Sequence, residues 1–235
     1  MSIKQKINSP SLWLKNFPWK KKKHHKYSRG KLVVLGGQIN MTGATILSAE
    51  AALRVGVGSV KIICSKKTLP IYSSKFPSSL KEIINNLSSL KKLIIKEKNS
   101  VFLIGPGAGV NQLTKERTKL ILKNSKYAII DADALTCFKA KPRELYSLLD
   151  KNKIITPHIK EFHTIFPSIN KKISNYEKIL KASRLCNCTI VLKGTNTLIC
   201  SHFGKVVVKN LYIQTITLIN HNLQMMYFQL QCIWL

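Results

Sequence analysis

At the middle of the chain, Val101-Phe-Leu-Ile104 runs directly into Gly105-Pro-Gly-Ala-Gly109. The four apolar residues suit a buried parallel strand, and the three glycines follow where such a strand leaves its sheet. Glycine lets the backbone turn sharply and lets a ligand approach the main chain closely. Ligands of open α/β sheets bind at the carboxyl ends of the strands, so this exit is where a nucleotide or its phosphates would lie. On spacing alone a tight structural turn is an equally good reading, because short glycine motifs match by chance.

The rest of the chain repeats this grammar. Lys31-Leu-Val-Val-Leu35 reads as a first strand ended by Gly36-Gly37, and a helix capped by Thr42 is expected to run to Arg54. Gly56 and Gly58 stop that helix, and Ser59-Val-Lys-Ile-Ile-Cys64 is the second strand. Residues 69–97 read only as a crossover, with helical fragments at 80–93. Beyond the glycine loop come a helix at 115–123, a strand at 127–131 ending in Asp131-Ala-Asp133, and a short strand at 153–157 followed by His158 and Glu161 at a helix start. A helix at 174–185 and a strand at 189–193 then lead into Gly194-Thr-Asn-Thr197, with a hairpin around Gly204. Alternating strands and helices of this kind predict an α/β fold: a mostly parallel central sheet flanked by helices. The turns at Gly36, Gly107, Asp131, His158 and Lys193 are expected on one edge of it, because each follows a strand.

A carboxylate pair at a strand's end, as in Asp131 and Asp133, is a place for chemistry, although each Asp taken singly is as often a turn cap. His158, Glu161 and His163 invite a metal reading, but the spacing HxxExH matches neither zinc pattern, HExxH or HxxEH, so no metal site is assigned.

The chain of 235 residues suffices for one large domain, and no Pro-, Gly- or Ser-rich linker divides it. The organisation expected is an N-terminal arm over 1–29, an α/β domain over 30–209 and an uncharged tail over 210–235. The net charge of +29 would ordinarily suggest nucleic acid. Arginine, the residue favoured for bidentate phosphate and base recognition, is confined to Arg29, Arg54, Arg117, Arg143 and Arg184, and Lys, Ile and Asn are abundant together as in A/T-rich genes. No specific nucleic-acid partner is therefore expected. The six cysteines form no CxxC pair and suit buried, reduced thiols of a cytoplasmic protein. Residues 3–14 are too interrupted by polar residues for a signal core or membrane span. A homo-oligomer is left open.

Taken in order, His25-Lys-Tyr-Ser-Arg-Gly30, Met41-Thr-Gly-Ala44, Ile104-Gly-Pro-Gly107, Asp131-Ala-Asp-Ala-Leu135, Thr156-Pro-His-Ile-Lys-Glu-Phe162 and Val191-Leu-Lys-Gly194 resemble the ADP- or ATP-dependent NAD(P)H-hydrate dehydratases of the ribokinase-like superfamily. The resemblance covers roughly residues 8–210. It implies repair of hydrated NADH or NADPH, in which a phosphoryl group activates the hydrate's hydroxyl and phosphate then leaves with formation of the double bond. It further implies that Ala44, Gly107 and His158 line the dinucleotide site, that Lys193, Gly194, Thr195, Asn196 and Thr197 contact ADP or ATP, and that Mg²⁺ compensates charge on the transferred group. The family's usual Pro-His-Pro-Gly-Glu carries Ile159 and Lys160 here in place of Pro-Gly.

The family continues with a Gly-Thr-Gly-Asp type loop, whose amides form an anion hole and whose Asp acts as the base. This sequence has no glycine after Gly204, no Asp after Asp150, and no Lys, Arg, Asp, Glu, Gly or Pro from Asn210 to Leu235. The expectation is a dehydratase fold whose C-terminal catalytic part is missing, with no catalytic residue assignable and activity impaired; the tail reads as an out-of-frame stretch in preference to an apolar segment covering the edge of the truncated sheet. Two other readings compete. One is a non-catalytic nucleotide-binding remnant. The other is a Rossmann-type dehydrogenase using Gly105, Gly107 and Gly109 with Asp131 as ribose ligand, against which Val110 stands where the third fingerprint glycine belongs.

Overall fold

A computed structural model describes residues 6–7, 29–204 and 206–210. The strands are β1 (Lys6–Ile7), β2 (Lys31–Leu35), β3 (Ser59–Cys64), β4 (Leu80–Ile83), β5 (Val101–Ile104), β6 (Tyr127–Ile130), β7 (Lys153–Ile155), β8 (Thr189–Leu192), β9 (Asn196–Cys200) and β10 (Val206–Asn210). They form one sheet in the order β1-β10-β9-β8-β7-β6-β5-β2-β3-β4. Among these strands only β9 runs against the others, pairing antiparallel with both β8 and β10. The hairpin read around Gly204 is thus β9 and β10.

The helices are α1 (Thr42–Arg54), α2 (Leu69–Lys75), α3 (Leu87–Lys96), α4 (Gln112–Asn124), α5 (Ala132–Thr136), α6 (Pro142–Tyr146), α7 (Ile159–Ile165) and α8 (Asn175–Cys186). Strand alternation divides the core in two. Val33, Phe102, Ile104, Ile130, Ile155 and Ile190 face one layer with Leu93, Ile121, Leu135, Phe162 and Ile179 of α3, α4, α5, α7 and α8. Leu32, Val34, Ile62, Leu103 and Ile129 face the other, with Ala49 and Ala52 of α1 and Tyr72 of α2. Strands buried on both faces explain why β5 and β6 read as continuous apolar runs rather than alternating ones.

Local signals set the helix ends. Asn86 and Asn111 cap α3 and α4, their side-chain oxygens accepting from Ser89 N at 2.8 Å and Thr114 N at 2.9 Å. Ser174 and Glu177 form a reciprocal capping box at α8, which ends at Asn187 in the left-handed region, φ +48°. Thr42, expected as a cap, is instead the first residue of α1; Met41 holds the cap position without a side-chain bond. The 80–93 stretch is corrected more substantially, because Leu80–Ile83 is a strand at the sheet's edge and α3 begins only at Leu87. Its Leu80 and Ile83 are exposed, so the short run shows no inward face for periodicity to find. Within the 1–29 arm, Lys6–Ile7 pairs parallel with β10. The tail from 211 to 235 lies outside the described residues. Among those residues no helix is long and apolar enough to cross a membrane.

Candidate functional site

The strand order places a topological switch beside β2: the chain lays β3 and β4 on one side of it, then returns to lay β5 on the other. Crevices at the carboxyl ends of strands around such a switch are where open α/β sheets bind ligands. Here the exits of β2 and β5 meet, with Gln38 N donating to Gly107 O at 2.8 Å. Gly37 N donates to Thr45 Oγ1 of α1 at 3.0 Å, so the first helix is anchored to the same turn.

The glycines of this loop are required by contact as well as conformation. Gly107 has φ +67°, and a Cβ there would lie 2.6 Å from Met41 O. Gly105 has φ +130°, and a Cβ would lie 1.7 Å from Asp131 O. The loop is therefore packed against the start of α1 on one side and the exit of β6 on the other. Gly107 meets the residue that precedes Thr42, and exposed Ala44 follows within the same helical turn.

Asp131-Ala-Asp133 joins this half of the edge to the other. Asp133 Oδ2 accepts from Gly109 N at 2.8 Å. Asp131, nearly buried, accepts through Oδ1 from Lys193 Nζ and from Thr156 Oγ1, both at 2.7 Å. Between them Ala132 adopts φ +44°, a left-handed conformation costing about 1 kcal/mol for a residue with a Cβ. That turn sends the two carboxylates to opposite neighbours. Asp131 stands at the cap position of α5 but its carboxylate makes no cap hydrogen bond, and Asp133 lies in the first turn of that helix. The Rossmann layout needs Asp131 available to a ribose, and its Oδ1 is taken by two donors.

Beyond β7, His158 holds the cap position of α7. Its Nδ1 accepts from Glu161 N at 2.9 Å while Glu161 Oε2 accepts from His158 N at 2.8 Å. A ring that accepts at Nδ1 carries its proton on Nε2, which is a donor on a half-exposed side chain. His158 also bridges Lys193 in parallel register, and Lys193 N donates to Pro157 O at 2.9 Å. After Lys193, Gly194, Thr195 and Asn196 are exposed, whereas Thr197 is buried with its hydroxyl donating to Gly194 O at 3.3 Å. The exits at Gly36, Gly107, Asp131, His158 and Lys193 thus lie on one edge. The bond between Lys193 and Asp131, 62 residues apart, was not legible in the sequence, because neither residue stands in a local motif with the other.

The profile of the NAD(P)H-hydrate dehydratase family matches residues 32–212. The ADP-dependent (S)-NAD(P)H-hydrate dehydratase of Staphylococcus aureus is 32% identical over 186 residues, covering 77% of this chain and 65% of that protein. Two bifunctional NAD(P)H-hydrate repair enzymes, from Coxiella burnetii and Dictyoglomus turgidum, are matched over 35% and 36% of their lengths, so the chain spans less than two thirds of these curated relatives. Among solved structures, a ribokinase-like superfamily protein of Enterococcus faecalis superposes with a TM-score of 0.75 at 23% identity, covering 88% of this chain and 72% of that one. The ADP/ATP-dependent NAD(P)H-hydrate dehydratase of Bacillus subtilis, crystallised with ATP and Mg²⁺, superposes with a TM-score of 0.72 at 21% identity, covering 98% and 82%. At such identities the superpositions establish a ribokinase-like fold. The profile match over most of its length means that this chain belongs to the NAD(P)H-hydrate dehydratase family.

Proposed function

We propose that the chain binds NAD(P)H hydrate and ADP or ATP along this edge, as the substrates of a nucleotide-dependent dehydration that restores NAD(P)H. The observation carrying the reading is the continuity of the edge: Gly107 abuts the start of α1, Gly109 is bonded to Asp133, Asp131 to Lys193, and Lys193 is in register with His158. Ala44, Gly107 and His158 would line the dinucleotide half, with His158 Nε2 as a donor to the cofactor's polar groups. Lys193 and the exposed Gly194-Thr-Asn196 turn would hold the adenine nucleotide, with Thr197 shaping that turn through its bond to Gly194.

The described residues hold no group of three His, Cys, Asp or Glu placed to ligate a metal ion, and both edge aspartates already accept hydrogen bonds. A Mg²⁺ ion would fit here chiefly through the nucleotide's own phosphate oxygens, its usual mode where phosphates are present. When bound it would offset charge on the transferred phosphoryl group. The same engagement bears on turnover. Asp131, Asp133 and Glu161 already accept hydrogen bonds within the fold, and the sequence carries no Asp after Asp150 to serve as the base that the resemblance calls for. We therefore expect binding with turnover at least about a hundredfold below that of a site with a positioned base.

The test is calorimetric titration of the full chain with ADP and with NADPH, alongside Lys193→Ala and His158→Ala. Loss of ADP binding in the first variant and of NADPH binding in the second is expected. ADP and NADPH binding that both variants retain unchanged would defeat the assignment of this edge.

A further inference from the structure

On the β3 side of the switch, the exits of β2 and β3 and the first turns of α4 enclose a second feature, a cavity of about 300 Å³. This is within the range of small-molecule sites. Leu35, Ile63 and Ile84 give it an apolar floor, while Gln38, Lys67 and Arg117 contribute polar walls, and among the described residues no carboxylate lines it. Two other cations of α4 near it are neutralised locally: Lys115 and Lys119 reach Glu144 at 2.6 and 2.7 Å. Arg117, half-buried on another face of the same helix, makes no hydrogen bond or ion pair among the described residues. Burial pulls its pKa down, but a guanidinium remains charged in proteins at any ordinary pH.

A charge taken partly out of water without a counter-ion opposes folding, and natural chains keep few of them. In this chain the choice is sharper, because lysine supplies nearly all the positive charge and Arg is rare. The planar fork of Arg suits phosphate oxygens, two at a time. Lys67, exposed at the rim, adds a second positive charge on the β3 side. Nearby, the buried Tyr72 hydroxyl lies 2.9 Å from where a Gly36 Cβ would stand, close to Thr45 and Gly37 but without an aligned hydrogen bond to either.

We propose that this cavity is a phosphate subsite, taking a phosphomonoester on an apolar or heteroaromatic body, with the phosphate on Arg117 and Lys67 and the body over the apolar floor. Gln38 lines the cavity and its backbone N–H bonds Gly107 O, so the subsite adjoins the proposed dinucleotide half. Two sources share this chemistry: the extra ribose phosphate that separates NADPH from NADH, or a separate phosphorylated metabolite. The first source rests on the function proposed above; the subsite itself does not.

The experiment is thermal-shift and calorimetric titration of the full chain with NAD⁺, NADP⁺, adenosine and 2′-AMP, repeated with Arg117→Gln and Lys67→Gln. Ligand-free Arg117→Gln is expected to melt at or above the parent temperature, because it removes an unpaired charge, an outcome that a purely structural arginine would reverse. Phosphate-bearing ligands should bind the parent at least about tenfold more tightly than their phosphate-free partners, a gap of about 1.4 kcal/mol that both variants narrow. A gap for NADP⁺ over NAD⁺ identifies the substrate's own phosphate. A gap confined to 2′-AMP over adenosine, persisting with saturating NAD⁺, identifies a separate ligand. If ADP and NAD⁺ fail to bind while the Arg117-dependent phosphate gap remains, the enzymatic reading falls and the subsite stands. No phosphate-dependent gap in the parent, or one that both variants retain in full, overturns the subsite; should Arg117→Gln fail to fold, the gap measured in Lys67→Gln decides alone.

Discussion

At Gly105 one methyl group is decisive. Its φ of +130° excludes ordinary side chains, and a Cβ would stand 1.7 Å from the backbone oxygen of Asp131, where no rotamer change brings relief. Gly105→Ala must therefore push the 131–133 loop aside, pulling Asp131 from Lys193 and Asp133 from Gly109. A loss of more than about 2 kcal/mol of unfolding free energy is expected, since a backbone clash and a broken buried network act together. Gly43→Ala is the matching control. Nothing lies within 4 Å of a Cβ at that helical position, so stability should stay or rise by up to about 1 kcal/mol. Urea denaturation of the two variants decides the matter, and an unchanged midpoint for Gly105→Ala would mean that the loop yields without cost.

Between elements, the sequence carried some information well and some not at all. The apolar runs of β2, β5, β6 and β8 and the helix starts at Ser174 and His158 were readable because their signals are local. Edge strand β4 was not, since half-exposed residues follow no buried period. Nor was the ionic link between α6 and α4, in which Glu144 stands between Lys115 and Lys119, at 2.6 and 2.7 Å. Hydrogen bonds from Lys115 and then Lys119 hold the Glu144 carboxyl down to about 2, from an ordinary value of 4.5. A carboxylate whose pKa is depressed by folding stabilises the native state above its unfolded pKa, and that contribution fades as pH falls toward the folded one. The Glu144→Gln variant should thus be less stable than the parent above about pH 5, by under about 1 kcal/mol because the pair is solvent-screened. The difference should shrink steadily as the pH is lowered from there toward 2. Paired melts across that range provide the check, and a gap that widened in acid would rule out this pairing as the cause.

For the molecule as a whole, the dominant electrostatic fact is imbalance. With 39 Lys and Arg against 10 Asp and Glu, a one-to-one pairing would still leave 29 cations without a carboxylate. Among the described residues, seven carboxylates already make Lys or Arg ion pairs: Glu50, Glu82, Glu97, Glu116, Asp131, Glu144 and Asp150. Salt weakens both these attractions and the repulsion among the excess cations, so the sign of its effect turns on magnitudes. A partly exposed pair is worth about 0–1 kcal/mol, which bounds the loss. Two like charges about 10 Å apart in water repel by about 0.4 kcal/mol, and each excess cation has several such neighbours. Unfolding spreads these charges apart, so the repulsion weighs on the folded state specifically. Since the screening length falls to about 8 Å at physiological ionic strength, most of this repulsion is removable. Repulsion should win, and raising NaCl from about 20 to 300 mM is expected to raise the melting temperature by a few degrees, against the usual weakening of surface pairs. Sodium phosphate at matched ionic strength should raise it further, by an increment that Arg117→Gln reduces. A melting temperature that fell with added NaCl would show that the few ion pairs outweigh the many unmatched lysines.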